Sequence, residues 1–270
     1  MINGIIYLFK RFAWFKRLNA KVTYELLAKY IPAEDWHFMN YGYSPKAGET
    51  PSISTDAPLT QRYSTQMYHY LATKATVDGK HILEVGSGRG GGANYVSTFL
   101  KPASYIGMDL AQNAVDLANR IHIAPNLKFI QGSAEAIPLP DGSADIVLNV
   151  ESCHAYGSVP KFLSEVKRVL KPGGYFLMVD FRNTQENMKI LKNDLAESGM
   201  QLLVEEDISN NVIQAIETED ATKRKKIEEC VPKKWQKIFS EFAGVAGSRF
   251  HQTLKDGTRA YWRFQMKKVS

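Results

Sequence analysis

The sequence has few cysteines, no long hydrophobic run and no metal-binding motif. Cys153 and Cys230 are its two cysteines among 270 residues, too few for a disulfide framework or a four-thiolate zinc site. No stretch approaches the roughly 18 uncharged apolar residues that a membrane-spanning helix needs. No H-E-x-x-H or cysteine–histidine cluster occurs, so we expect no metal. Four histidines are not spaced in the sequence as ligands of a common metal, namely His37, His69, His122 and His251.

The composition is that of an ordinary globular protein with a positive charge. Apolar residues make up 44% of the chain and charged residues 23%, which excludes a mainly disordered or collagen-like protein. The length suits one large domain, or one domain with additions. The net charge of +6 permits an acidic partner, such as an anionic membrane surface, nucleic acid or an anionic substrate, but selects none.

The first 30 residues combine aromatic and basic side chains. Ile5, Phe9 and Phe12 follow helical spacing, and Lys10 and Arg17 fall on another face. This pattern predicts an amphipathic helix that either docks on the domain as a cap or lies on a membrane surface. No small-residue cleavage site follows the short apolar run, so a secretory signal is not indicated. We expect a cytoplasmic protein, with peripheral membrane contact through residues 1–30 left open.

Beyond residue 60, short apolar segments alternate with helix-compatible ones, which predicts a parallel sheet with helices on both faces. The predicted strands are His81–Val85, Ser104–Met108, Leu127–Ile130, Asp145–Asn149 and Tyr175–Val179. The predicted helices are 61–76, Ala93–Leu100, Ala111–Ile121 and Val159–Leu170. Residues 186–243 are helical in composition and poor in strand signals. Two segments about Asp256-Gly257, Ser248–Leu254 and Thr258–Met266, predict an antiparallel hairpin.

A glycine-rich loop follows the first predicted strand. Residues 84–92 read EVGSGRGGG, and glycines let a backbone approach a ligand closely before the N–H groups of the next helix. Alone, this loop also fits the dinucleotide pattern G-x-G-x-x-G. Asp109, at the end of the second strand, suits the ribose of either cofactor type. A third feature, LKPGG at residues 170–174, links a helix to the fifth strand.

The order of these features resembles the class I S-adenosylmethionine-dependent methyltransferases. That family carries E-x-G-x-G-x-G, an acid after strand two, a polar pair after strand three and L-[KR]-P-G-G before strand five. The resemblance implies S-adenosylmethionine as cofactor and an α/β fold with a Rossmann-like, seven-stranded, mostly parallel sheet. Ser133 stands where the family often has an aspartate that contacts the adenine, so we expect a weaker contact there. The implied cofactor-binding residues are Glu84, Gly86, Ser87, Gly88, Gly90, Asp109, Leu110, Ser133, Ala134, Glu135 and Asn149.

The segment after the fourth strand contains a histidine where this fold presents groups to a substrate. Residues 149–156 read NVESCHAY, without the N-P-P-Y motif of amine methylation. A neutral histidine suits removal of a hydroxyl proton near pH 7. In similar small-molecule O-methyltransferases this histidine works with an acid after strand five, which Asp180 matches. We therefore expect His154 to be the general base of an O-methyltransferase, supported by Asp180.

Further stretches resemble the phthiotriol and phenolphthiotriol dimycocerosate methyltransferases of mycobacteria. They are Met39–Tyr43, Gly90–Tyr95, Lys101–Gly107, the NVESCH segment and Asp256–Tyr261. Those enzymes methylate a secondary alcohol of a long lipid, so the resemblance implies a hydrophobic small-molecule or lipid acceptor. Carbon methylation of a lipid, sterol or terpenoid remains an alternative. Nucleic-acid methylation and a non-catalytic cofactor-binding protein are further alternatives.

The expected organisation places a cap and a lid around the core. We expect an N-terminal cap over 1–60, a cofactor-binding core over 61–185, a helical lid over 186–245 and a hairpin over 246–270. Aromatic side chains suit an apolar acceptor, and the expected pocket residues are Trp36, Tyr41, Tyr43 and Tyr156. Basic residues within 10–21 and 223–237 would either be solvated or hold the enzyme near an anionic membrane.

Overall fold

The computed structural model describes residues 36–45 and 61–269. The predicted amphipathic helix over 1–30 and most of the predicted cap lie outside these residues. Within the described ranges, a single seven-stranded sheet is covered by helices. No helix in this part of the chain is long and apolar enough to span a bilayer.

The strands are β1 His81–Val85, β2 Ser104–Asp109, β3 Leu127–Gln131, β4 Ala144–Val150, β5 Leu170–Arg182, β6 Gln201–Asp207 and β7 Ala260–Lys267. The helices are α1 Arg62–Ala72, α2 Gly91–Phe99, α3 Gln112–Ile121, α4 Val159–Val169, α5 Gln185–Glu197, α6 Ser209–Cys230, α7 Lys233–Phe242 and α8 Arg249–Lys255. A helix follows β1, β2 and β4, whereas β3 leads directly into β4 without a helix between them. A single 3-10 turn, Cys153–Ala155, follows β4.

The sheet order is β3-β2-β1-β4-β5-β7-β6. Strands β1 to β5 pair in parallel, and β7 runs antiparallel to both β5 and β6. The strand order reverses between β1 and β4. In open sheets of this kind, ligands bind at that reversal, beyond the carboxyl ends of the strands.

Two apolar clusters lie against the sheet. One contains Met67 of α1 and Val96 of α2, both fully buried. The other contains Phe162 of α4 and Leu191 of α5. The central strands β1 and β4 are buried on both faces, and in β1 only His81 is exposed. Burial on both faces explains why the parallel strands read as continuous apolar runs rather than as alternating ones.

The predicted C-terminal hairpin was wrong, and so was the strand-free interpretation of residues 186–243. Residues 249–255 form α8, whose start is capped by the Ser248 side chain accepting from the His251 N–H. Phe250, His251 and Leu254 are buried while Gln252 is exposed, which fits helical spacing and breaks the alternation of a strand. The partner of β7 is instead β6, within the segment predicted as helical. Because β6 is an edge strand with several exposed side chains, its apolar signal in sequence is weak.

Candidate active site

A cavity of about 1000 Å³ opens at the carboxyl ends of the central strands. We call it the first cavity. Its walls come from the loops after β1, β2, β3 and β4, so residues distant in sequence meet there. Eight of its lining residues were predicted as cofactor-binding: Gly86, Ser87, Gly88, Asp109, Leu110, Ser133, Ala134 and Glu135.

The glycine loop after β1 forms the floor of this cavity. Gly86 has φ of 82°, and a Cβ there would lie 2.3 Å from Ser152 Oγ. Gly90 has φ of 81°, and a Cβ there would lie 2.5 Å from the Phe129 ring. Both positions therefore need glycine, for left-handed backbone and for close packing. At Gly86 and Gly88 the loop therefore presents main chain to the cavity, beside the lining residues Ser87 and Arg89.

Asp109 holds the glycine loop against the end of β2. Its Oδ2 accepts the Gly88 N–H at 2.8 Å, and its Oδ1 accepts the Ala111 N–H at 2.9 Å. Burial raises the pKa of this carboxyl, although the main-chain hydrogen bonds oppose the shift. Each oxygen keeps further acceptor capacity, so a bound diol could donate to Asp109 from within the cavity.

Glu84 lies beneath the first cavity and does not line it. Its carboxyl is fully buried and accepts the hydroxyl groups of Tyr68 at 2.6 Å and Tyr105 at 2.8 Å. Burial raises the pKa of Glu84 to about 7. Tyr68 does line the cavity, so Glu84 contributes to the shape of the cavity by holding the Tyr68 ring in place. The predicted residue Gly90 also lies outside the lining.

Asn149 is a buried bridge rather than a lining residue. Its Nδ2 lies 2.9 Å from the Val85 carbonyl, 2.8 Å from Ser152 Oγ and 3.0 Å from the Tyr156 hydroxyl. These groups tie the end of β1 to the loop after β4. Tyr156, predicted in the substrate pocket, lines the first cavity.

His154 and Asp180 meet as the sequence predicted. The His154 Nδ1 lies 2.8 Å from Asp180 Oδ1, and the His154 main-chain N–H donates to Oδ2 at 2.8 Å. Asp180 is fully buried, whereas the His154 side chain is 29% exposed. A buried carboxylate on Nδ1 favours the tautomer with its proton there, which leaves Nε2 able to accept a proton.

The surroundings of Asp180 favour its charged form. Burial raises the pKa of this carboxyl, but the charges of His154 and Arg182 lower it, and the net pKa lies below its usual value. Arg182 Nη1 lies 3.1 Å from Asp180 Oδ2. The Phe181 N–H donates to Oδ1 at 2.8 Å. Asp180 therefore stays ionised near neutral pH.

His154 borders the first cavity without lining it. Ser152 and Ala155, on either side of it in sequence, do line the cavity. The imidazole lies against the Phe181 ring, with centroids 4.2 Å apart. Phe181 in turn contacts Tyr41 edge-on at 5.9 Å. The histidine thus lies between the first cavity and an aromatic group.

A second cavity, of about 800 Å³, adjoins the first. It lies between residues 36–41, the start of α1, and helices α6 and α7. Phe38, Met39, Asn40 and Arg89 line both cavities, so residues 38–40 and Arg89 form the wall between them. Apolar and aromatic side chains of the second cavity are Trp36, Phe38, Met39, Tyr41, Phe239, Phe242 and Ala243.

The predicted aromatic pocket is only partly assembled in this second cavity. Trp36 and Tyr41 line it. Tyr43 does not line either cavity. It is 2% exposed and its ring stacks on Tyr70 at 3.9 Å. Its side chain therefore belongs to the core.

Glu151 is a site residue to which the sequence interpretation assigned no role. Its carboxyl lines the first cavity and accepts the Tyr41 N–H at 2.7 Å. Its backbone is left-handed, with φ of 48°, which is uncommon outside glycine. Burial raises the pKa of Glu151 to about 8, and the nearby charge of Asp180 adds to the shift. Its place directly after β4 was a usable sequence signal.

Arg89 is a second residue that sequence reasoning missed. It is 4% exposed, lies within the glycine loop and lines both cavities. Its Nη1 donates to the Trp36 carbonyl at 3.3 Å. Burial lowers the pKa of its guanidinium to about 10, so it remains charged near neutral pH. Within the described residues, no cluster of three or more His, Cys, Asp or Glu side chains could hold a metal.

Sequence comparisons identify relatives over most of the chain. Residues 83–178 match the model of a protein family described as a methyltransferase domain. A fatty-acid O-methyltransferase of Mycolicibacterium smegmatis is 39% identical over 222 residues, covering 80% of each chain. A phthiotriol/phenolphthiotriol dimycocerosates methyltransferase of Mycobacterium tuberculosis is 35% identical, covering 88% of this chain and 87% of that protein.

Solved structures share the fold at low sequence identity. The [4+2]-cyclase SpnF is 18% identical with a TM-score of 0.69, covering 92% of this chain and 94% of that one. The geranyl diphosphate C-methyltransferase of Streptomyces coelicolor A3(2), solved with S-adenosyl-L-homocysteine, is 16% identical with a TM-score of 0.64. The match covers 91% of this chain and 98% of that one.

The first cavity fits the cofactor of these enzymes. Its floor is a glycine loop in which Gly86 has no room for a Cβ beside the lining residue Ser152, and Asp109 can accept from a ribose diol. S-adenosylmethionine is therefore the cofactor of this protein. The chain belongs to the class I S-adenosylmethionine-dependent methyltransferases, alongside the fatty-acid and phthiotriol/phenolphthiotriol dimycocerosates methyltransferases.

Proposed function

We propose that this enzyme methylates a hydroxyl oxygen of a hydrophobic small molecule or lipid, with His154 as general base and Asp180 as its support. The observation that carries the proposal is the 2.8 Å contact between His154 Nδ1 and the buried Asp180 carboxylate. An alcohol is a poor nucleophile unless its proton is removed as the oxygen attacks. Nε2 of His154 is the group that would receive this proton.

The residues of the first cavity would hold the cofactor. Asp109 would accept from the ribose hydroxyls, and Leu110 would pack on the adenine. Ser133 and Ala134 line the expected adenine side. Glu135 Oε1 accepts the N–H groups of Gly157 and Ser158 at 3.0 and 3.2 Å, so it would order the neighbouring loop. S-adenosylmethionine, when bound, supplies an electrophilic methyl group on its sulfonium.

The second cavity would bind the acceptor. Its aromatic and apolar lining suits a hydrophobic molecule, and the named relatives act on a fatty acid and on phthiotriol lipids. Helices α6 and α7 form one side of it, which supports our prediction of a helical lid over 186–245. Because residues 38–40 and Arg89 separate the cavities, these side chains would have to move for the acceptor oxygen to reach the first cavity.

Asp180 would support the base through two effects. Its contact with Nδ1 orients the imidazole, and its negative charge stabilises the imidazolium that forms when Nε2 takes the proton. Arg182 and the Phe181 N–H keep Asp180 ionised and fixed. A histidine–carboxylate pair of this kind acts by geometry and charge, without covalent attachment of the acceptor.

An ionised carboxylate of a fatty acid is a second candidate acceptor. Arg89 favours it, because this buried cation lines both cavities and can pair with an anionic acceptor group. One relative is named as a fatty-acid O-methyltransferase. A carboxylate already carries the nucleophilic lone pair, so it would need no general base.

The two candidates predict different effects of one substitution. Methyl transfer from labelled S-adenosylmethionine would be measured with a long-chain alcohol and with a fatty acid of equal length, using wild type and His154→Ala. We expect the alcohol reaction to fall by about 10²–10⁴-fold while cofactor affinity, measured by calorimetry, is retained. His81→Ala is the matched control, since His81 is exposed at the opposite end of β1.

The outcome for each acceptor has a definite meaning. Alcohol turnover that survives His154→Ala would contradict the base role. Turnover of the fatty acid alone, insensitive to His154, would favour the carboxylate acceptor. If neither is methylated, a lipid extract of the host is the next acceptor. If the label then appears only in aqueous products, RNA or protein, the proposal of a hydrophobic acceptor is contradicted.

A further inference from the structure

Helix α7 exposes an apolar stripe to solvent. Trp235 is 41% exposed, Ile238 59% and Phe242 40%. Nine large apolar side chains are exposed among the described residues, and three of them lie in this ten-residue helix. No residue of α7 is buried. Clustered exposure of this kind marks interaction sites on soluble proteins, whereas scattered single residues do not.

The three side chains share one side of the helix, because they are spaced three and four residues apart. Gln236 fixes the helix to its neighbour, donating from Nε2 to the carbonyls of Glu228 and Val231 at 3.3 and 3.0 Å. The stripe is therefore presented by an anchored helix. We call Trp235, Ile238 and Phe242 the α7 stripe.

Lysines accompany the α7 stripe. Lys233, Lys234 and Lys237 are exposed on the same helix, which holds one acidic residue, Glu241. The Lys234 Nζ lies 5.6 Å from the centroid of the Trp235 ring. Aromatic and aliphatic side chains beside lysines are the composition of helices that lie in a membrane interface, where lysine meets anionic headgroups.

The α7 stripe is continuous with the second cavity. Phe242 belongs to the stripe and also lines the cavity, as does Phe239, which directly follows Ile238 of the stripe. Lys226, on α6, lies at the same cavity. A surface that receives the α7 stripe would therefore lie next to the entrance of a hydrophobic binding site.

We propose that the α7 surface docks this enzyme on an anionic lipid bilayer, with the α7 stripe in the interface and the second cavity facing the membrane. The charge of the lysines and the continuity with the cavity favour a bilayer over another protein as the occupant. Docking would give the enzyme access to the proposed hydrophobic acceptor, so this part of the inference rests on the proposed function. Vesicle binding is measured without acceptor or cofactor, so either proposal can fail while the other stands.

The first test is co-sedimentation of the full chain with phosphatidylcholine vesicles, with and without phosphatidylglycerol. We expect binding to the anionic vesicles that weakens in high salt, since each lysine near such a surface contributes about fivefold in affinity. Ile238→Asp should lower this binding at least about tenfold, because it places a charge in the apolar stripe. The matched control is Ile123→Asp, at a side chain that is 90% exposed outside the α7 surface.

The second test reports where the surface contacts the bilayer. The fluorescence of Trp235 should shift to the blue on anionic vesicles and be quenched by brominated lipid. Trp235→Phe should remove that part of the signal among the four tryptophans while most of the binding remains. Two results would overturn the proposal: vesicle binding of Ile238→Asp within twofold of wild type, or an unquenched Trp235.

A second copy of the chain is the competing occupant of the α7 surface. Sedimentation velocity of wild type and Ile238→Asp without lipid distinguishes it. Self-association that Ile238→Asp abolishes, together with no binding of wild type to anionic vesicles, would assign the surface to a protein contact and overturn membrane docking. A monomeric wild type that binds vesicles supports docking.

Discussion

The carboxylate of Asp180 accepts three N–H groups, from the His154 main chain and ring and from the Phe181 main chain. Asp180→Asn keeps the shape but removes the charge, and its amide can donate to Nδ1 and impose the wrong tautomer. We expect turnover with an alcohol acceptor to fall about 10²–10⁴-fold. Single-turnover kinetics would measure the loss.

Cofactor affinity provides the control for Asp180→Asn. Asp180 lies outside the lining of the first cavity, so binding of S-adenosylhomocysteine should stay near wild type. Thermal unfolding would check that the loss of the partner of Arg182 has not unfolded the chain. Turnover within threefold of wild type would contradict the supporting role of Asp180.

Glu151 should make stability fall as pH rises. The pKa of Glu151 is about 8 in the native state against 4.5 for an ordinary glutamate. Between these values the native state keeps a proton that the unfolded chain has released. The free energy of unfolding therefore decreases with rising pH across this window, by up to about 1.4 kcal/mol per pH unit. Glu84 contributes in the same direction.

Comparison with Glu151→Gln isolates this contribution. The amide can still accept the Tyr41 N–H but does not titrate, so the variant should lose less stability between pH 5 and about 8. Urea unfolding at several pH values would measure the slopes. Glu165→Gln is the control. Hydrogen bonding to Arg168 lowers the pKa of Glu165. The stability that Glu165 contributes is therefore lost only as the pH falls below the ordinary pKa of a glutamate. Equal slopes for wild type and Glu151→Gln would contradict the prediction.

The glycine loop illustrates how an element can depend on an absent side chain. Gly86→Ala would place a Cβ 2.3 Å from Ser152 Oγ at a left-handed φ. We expect at least a tenfold loss of cofactor affinity, measured by calorimetry. Gly173→Ala has a similar φ of 79° but nothing within 4 Å of the added Cβ. It should cost stability of about 1–2 kcal/mol and leave cofactor affinity unchanged. Equal effects on affinity would refute the steric argument.

The elements themselves were predictable to different degrees. The strands around the first cavity were confirmed to within a few residues, except that β5 begins at Leu170 rather than Tyr175. The central strands β1 and β4 are buried on both faces, so their apolar runs are unambiguous. Residues 201–207 and 249–255 were assigned wrongly. The first is an edge strand whose pairing with β7 is long-range, and the second is a helix too short for a clear period.

At the scale of the whole molecule, cofactor binding should couple to stability. Occupation of the first cavity joins loops from four strands, so a ligand that binds only the native state stabilises all of them. S-adenosylhomocysteine at a hundredfold excess over its Kd should add about 2.7 kcal/mol, or roughly 5–10 °C in Tm. Differential scanning calorimetry would measure the shift. Asp109→Ala should remove most of it, whereas a full shift in that variant would exclude Asp109 from the cofactor site.

The sequence by itself determined the family, the cofactor and the pairing of His154 with Asp180. Those features lie at the ends of consecutive buried strands, where chain order predicts spatial order. Tertiary structure alone decided which aromatic residues reach a cavity, since Tyr43 is stacked in the core while Tyr156 lines the first cavity. It also brought Glu151 to the main chain of Tyr41, 110 residues away. Such contacts depend on packing between distant segments, which local sequence patterns do not encode.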